Sequence, residues 1–345
     1  MYKRYSPGLA TTYADVENHA IQQDEILLGT PGAISIRKNA SGSKFYVRQY
    51  YDYEGNKKDQ YIASRPGDAE TERLVREWKK RIGEAKEILR SVRLLVREGY
   101  CAFAPKHLAA LVPLNKYKIF AAGAVLVGTH AFEVIVNRLG VRVAVFKTED
   151  IDIARPNRLA VETLPKGGLL ELLRESGVDF VGVPGFRHHD PSVSYKESGK
   201  SRFTFDLLVP TSSDEIEIRP VKELDAHATA LPYLKYLLSE TQIGAAISSH
   251  GVVAVRVPIP ERFALHKLIV AQVRIGRPEK TLKDLGQAAV LIAVLGENHP
   301  GALEAAFEKT PISSRKHIRK SLMQIREQLE PHPQSWEEIA TAAKV

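Results

Sequence analysis

The stretch Thr148-Glu149-Asp150-Ile151-Asp152-Ile153-Ala154 constrains this chain more than any other. In an extended segment, residues two apart face the same side. Asp150 and Asp152 therefore project together, while Ile151 and Ile153 enter a core. Glu149 falls on the opposite side by the same alternation and reads as structural. Two parallel carboxylates repel unless a proton or a cation joins them. Hard-oxygen pairs of this kind suit Mg²⁺, which keeps positions for water and phosphate oxygens. The plain alternative is the solvent face of an edge strand.

Upstream, the apolar run Ala124-Val125-Leu126-Val127 leads into Gly128-Thr129 and a helical segment containing Phe132, Val136 and Leu139. A small residue pair at a helix N-terminus lets backbone N–H groups and a hydroxyl approach a phosphate chain. A tight helix start would use the same residues. Downstream, Asp206 lies in the strand-like run Phe203 to Val209, flanked by apolar neighbours. If that strand lies beside the first, three carboxylates converge on a two-metal site of the phosphoryl-transfer type. Arg202 precedes Asp206 at even spacing and so shares its face as a candidate phosphate ligand. His130, in the turn, reads as a buried, satisfied histidine. The run Arg187-His188-His189-Asp190 lies on a Pro/Gly-bounded stretch without the i, i+4 geometry of a zinc site, so it reads as a loop.

The rest of the chain sets these pieces in an α+β context. Thr12 to Leu27 predicts a short amphipathic helix. Three alternating runs within residues 33–63 predict a small antiparallel sheet. Asp68 is a predicted N-cap for a long helix to about Glu98, with Leu74, Trp78, Ile82, Ala85, Ile88, Leu89, Val92, Leu95 and Val96 on its apolar side. Helical and strand patterns mix from Leu108 to Pro210, Val252 to Ile259 alternates as a strand, and the chain reads helical after Pro260. The 345 residues divide into a basic N-terminal module (1–107), a mixed core (108–259) and a helical C-terminal part (260–345).

Composition narrows the setting. The net charge is +8. Residues 1–110 hold 19 Lys/Arg against 14 Asp/Glu, which suits either a polyanionic partner or a merely basic surface. The Tyr, Lys and Arg interleaved on the small sheet allow base stacking and phosphate contact, or simple packing against a helix. No apolar run approaches the ~20 residues that span a bilayer, and no signal-peptide core follows the N-terminus. Cys101 is the single cysteine. It excludes an internal disulfide and cysteine-cluster metal sites, and it fits a cytoplasmic protein.

The turn, the acidic pair and the third strand aspartate, in this order, resemble the DNA polymerase β nucleotidyltransferase superfamily. The likeness is nearest to a bacterial family of nucleotidyltransferase-fold proteins. The stretch Pro260-Glu261-Arg262-Phe263-Ala264-Leu265-His266-Lys267-Leu268, with Lys283-Asp284-Leu285-Gly286-Gln287-Ala288 behind it, is similar to the helical segment of abortive-infection nucleotidyltransferase toxins. The likeness spans about residues 108–295. It departs from the pattern in having Thr129 in the turn and a long gap from Gly128 to Asp150, with an insertion around Leu139–Phe146.

The resemblance implies a polymerase β-like core in which Asp150 and Asp152 bind two Mg²⁺ ions. It implies that Asp206 completes the second position and helps deprotonate an acceptor hydroxyl, and that Gly128 and Thr129 contact the phosphates of a nucleoside triphosphate. Lys267 becomes a candidate phosphate or acceptor contact, with Arg274 and Lys283 behind it. The expected activity is Mg²⁺-dependent transfer of a nucleotidyl group to a hydroxyl of RNA (transfer RNA first), a protein side chain or a small molecule, with a toxin role one option. The alternative is a non-catalytic nucleic-acid-binding or scaffold protein of the same fold. A homodimer is left open.

Overall fold

The computed structural model describes the whole chain except residues 24, 145–147, 186, 188–189, 214 and 275. Strand β1 (Lys3–Arg4) leads into helix α1 (Pro7–Gln22). This helix starts and ends five residues earlier than its sequence pattern predicts. Pro7 occupies the first turn, where its fixed φ suits a helix and its missing N–H costs nothing. Ile26 and Leu28 lie outside the helix and pack against the main core.

Strands β2 (Ala33–Lys38), β3 (Lys44–Tyr51) and β4 (Lys57–Ser64) form the small antiparallel sheet. Helix α2 (Ala69–Arg97) follows, capped by the Asp68 carboxylate, which accepts from the Thr71 N–H. Its buried stripe is Val75, Ile82, Leu89, Val92 and Leu95, whereas Val96 turns outward. These residues are spaced by seven or three, which keeps them on one apolar helix face.

The central part contains α3 (Pro105–Lys116), β5 (Val125–Val127), α4 (Gly128–Arg138), β6 (Val141–Arg142), β7 (Asp150–Ala154), α5 (Gly168–Arg174), β8 (Phe180–Pro184), β9 (Ser192–Glu197), β10 (Thr204–Pro210), β11 (Glu217–Val221) and β12 (Ala226–Leu231). Among the described residues the order β11-β12-β10-β7-β5 forms a mixed sheet, with β9 paired to β10 and β8 to β9. Strand β10 alternates buried Phe205, Leu207 and Val209 with less buried residues, which leaves Asp206 off the core side.

Helix α6 (Leu234–Leu238) precedes the hairpin β13 (Thr241–Ser248) and β14 (Gly251–Pro258). Tyr13 and Val16 of α1 and Leu89 and Val92 of α2 bury against Ala245, Ile247 and Val252 of this hairpin, forming a second core. Helices α7 (Pro260–Val273), α8 (Pro278–Asn298), α9 (Ala302–Glu308), α10 (Arg315–Leu329) and α11 (Pro333–Ala343) complete the chain. The main core runs from Cys101 to Ala343 and joins the mixed sheet to these helices. It includes Phe263, Leu265 and Leu268 of α7. That shared core holds α7 and α8 over the acidic strands.

Candidate active site

Strand register brings the sequence-predicted residues together. Strand β7 pairs antiparallel with β5, with Val127 opposite Asp152. Its other edge pairs parallel with β10, with Asp206 opposite Asp152 and Thr204 opposite Asp150. Paired strands stand about 5 Å apart, so Asp152 and Asp206 are immediate neighbours. Ser194 of β9 lies opposite Asp206 from the other side, where its hydroxyl favours the charged carboxylate.

Gly128 follows Val127 and is therefore beside Asp152, despite the long gap in sequence. Its φ is +69°, and a Cβ there would lie 2.2 Å from the Asp152 Oδ2. Only a glycine lets the carboxylate lie against the backbone at the start of α4. The N-cap residue Val127 offers no side-chain bond to the first turn, so the initial N–H groups of α4 have no side-chain cap. Thr129 is buried at 5% exposure.

The three carboxylates differ in their surroundings. Burial, with Asp206 and Asp150 nearby, pushes Asp152 up to about 6. Burial also raises Asp206, against the lowering effect of the Ser194 hydroxyl. Burial acts on Asp150 in the same direction, but Lys280 outweighs it and the group ends below the ordinary aspartate value. The Lys280 Nζ lies 3.1 Å from the Asp150 Oδ2. The Asp150 Oδ1 accepts from the Thr148 hydroxyl at 3.3 Å and the Glu149 N–H at 3.2 Å. As oriented, no three His, Cys, Asp or Glu side chains among the described residues group tightly enough to hold one ion.

Facing the strands, α7 and α8 carry the basic residues. The Lys267 Nζ, nearly buried, donates to the Asp284 Oδ1 at 2.5 Å, and Arg274 pairs with the Asp284 Oδ2 at 3.2 Å. The charge of Lys267 reaches Asp152 and lowers it against burial. Lys283 is held below the ordinary lysine value, first by burial and then by Lys267. His266 is buried, and burial followed by Lys267 takes it down to about 3.

Other expectations fare differently. Arg202 is exposed and precedes β10, which begins at Thr204. Strand alternation does not extend to it, so it does not share the Asp206 face on that ground. His130 is buried, with its Nδ1 2.9 Å from the Glu133 Oε2, but its Nε2 has no partner among the described residues. Glu149 is exposed and pairs with Lys106 at 3.2 Å. His188 and His189 lie outside the described residues. Sequence reading missed Lys280 and Ser194. Lys280 carried one signal, since it stands four residues before Asp284 and so on the same helix face.

With this geometry established, comparison with known proteins places the chain. A family model described as nucleotidyltransferase matches residues 106–311, more than half of the chain. The chain belongs to this nucleotidyltransferase family. The match starts within α3 and ends beyond α9, so it takes in both the acidic strands and the basic helices. No curated protein and no solved structure matches this nucleotidyltransferase family member.

Proposed function

We propose that the protein is a Mg²⁺-dependent nucleotidyltransferase with a polymerase β-like core, moving a nucleotidyl group from a nucleoside triphosphate to a hydroxyl of RNA. One observation carries the reading: strand register makes Asp152 and Asp206 neighbours, two register positions from Asp150, against the backbone of Gly128. Such crowding of acids is unfavourable unless a cation is shared, and Lys280 already serves Asp150 as a stand-in cation. The donor set is all oxygen, which fits Mg²⁺. Bound there, the metal would neutralise phosphate charge and hold the triphosphate in line.

In the transfer, an acceptor oxygen bonds to the α-phosphorus while the bond to pyrophosphate breaks, and the hydroxyl proton must be taken up. Asp206 is the carboxylate assigned to that proton, because burial raises its affinity for one. The first N–H groups of α4, at Gly128 and Thr129, receive phosphate oxygens. Lys267 and Arg274 act from the opposite side, positioned by Asp284. RNA is favoured as acceptor by Lys38, Lys44 and Lys57 with Tyr51 and Tyr61, all exposed on the small N-terminal sheet.

The test uses labelled nucleoside triphosphates, Mg²⁺ and total RNA, with an Asp150→Ala/Asp152→Ala control. Label transfer by the native protein and none by the control supports the reading. Salt-sensitive RNA binding that survives the double substitution, without transfer, makes the protein a binding module instead.

A further inference from the structure

Asp150 differs from its two partners. Both of its oxygens are already engaged, Oδ2 by Lys280 and Oδ1 by Thr148 and the Glu149 N–H. The side chains as they stand offer no three-ligand group among the described residues. For Asp150 to join a divalent ion its carboxylate must first be freed, and its Lys280 partner is a removable one.

Lys280 is suited to letting go. Its side chain is 42% exposed, and it stands in the first turn of α8. A cation there opposes the helix dipole, so it gains most from an anion in front of it. The other cations are committed differently. Lys267 and Arg274 are tied to the buried Asp284, and their release would leave that carboxylate unpaired in the interior. Lys280 leaves behind only Asp150, which is one-third exposed.

We propose that Lys280 is a displaceable tether. With no ligand bound, it holds Asp150 and neutralises it. When metal and triphosphate arrive, Asp150 turns to the metal and the lysine ammonium transfers to the triphosphate. Lys280 thus competes with metal for Asp150 and cooperates with nucleotide. This rests on the metal-dependent reading above.

The two roles predict opposite effects from one substitution. Mn²⁺ binding is measured from the free-ion electron paramagnetic resonance signal, with and without ATP. KM and kcat for the triphosphate are measured beside it. Lys280→Met should tighten binding of Mn²⁺ alone about threefold, the scale of a partly exposed ion pair. It should raise the triphosphate KM about tenfold, with a smaller change in kcat. Lys280→Arg, which keeps the charge, should stay near the native values, and Lys280→Gln should repeat the methionine result.

Unchanged or weaker Mn²⁺ binding in both neutral variants overturns the tether while leaving the metal reading intact. Native protein that binds Mn²⁺ with ATP no better than the Asp150→Ala/Asp152→Ala variant overturns the metal reading, and the tether falls with it.

Discussion

The two sides of the site are built by different means. The acidic side is set by strand register, which fixes Asp152 against Asp206 and Val127 regardless of what those side chains prefer electrostatically. The basic side is set by side-chain ion pairing between two helices, where Asp284 gathers Lys267 and Arg274. The acids are thus held in an unfavourable arrangement by the backbone, and the bases in a favourable one by each other. A ladder of backbone hydrogen bonds resists the repulsion of two carboxylates. Helices packed through apolar side chains have no such ladder between them, so their charges must supply their own order.

The largest effect should come from removing the centre of the basic side. Asp284→Ala leaves Lys267 buried without its partner, and loss of one member of a buried pair costs about 3–5 kcal/mol. Denaturant unfolding should show that loss. The double variant Lys267→Met/Asp284→Leu should regain most of the stability while transfer activity stays low, because the charge that offsets Asp152 is gone. A double variant no more stable than Asp284→Ala would mean that ion pairing does not order these helices.

On the acidic side the most sensitive point is backbone. Gly128→Ala puts a Cβ 2.2 Å from the Asp152 Oδ2 and a side chain at a φ of +69°. The carboxylate must shift, and a displacement of about 1 Å in a reacting site costs about a hundredfold in rate. The expected result is a kcat fall of that order in a protein that still folds. Native-like activity would show that the close approach of Asp152 to the turn is not needed.

Much of this contrast was legible in the sequence on one side only. Alternation in Asp150-Ile151-Asp152-Ile153 fixed which side chains project together, because a strand has a single possible period. The long gap after Gly128 separates the turn from the acids in sequence. Pairing of Val127 with Asp152 closes it, and pairing between distant strands is invisible to local pattern. The helix side was harder to read. Lys267 and Asp284 each look like ordinary charged helix residues, and their union depends on how α7 and α8 pack. Val96 fits a helical apolar stripe by spacing but lies exposed, since position along a helix does not say where its neighbour ends.

A third consequence follows from the crowding at Asp152. Its value of about 6 in the folded protein exceeds the roughly 3.9 of an unfolded aspartate. Between these values the metal-free folded state binds the extra proton. The contribution of Asp152 to stability is therefore full below pH ~4 and is lost as pH rises through ~6. Asp152→Asn removes that loss. Calorimetry in EDTA should find the variant melting about 2–4 °C higher than the native protein at pH 7. The difference should disappear at pH 4. An equal gap at both values would mean that the carboxylate is not under strain.

The smallest effect should come from Arg202. It stands two residues from β10, near the acidic side in sequence, and it has the guanidinium a phosphate would favour. Neither of the two ordering devices reaches it, however. It lies outside the β10 ladder, and it takes part in no ion pair of the Asp284 kind among the described residues. A side chain ordered by neither means has rotamer entropy to lose before it can hold a phosphate, which reduces what such a contact contributes. Arg202→Ala should change the triphosphate KM less than about threefold, within the range of a surface ion pair. A rise of tenfold or more would show that bound nucleotide orders this residue. The acidic side would then supply a basic ligand of its own, and the division of labour between strands and helices would no longer hold.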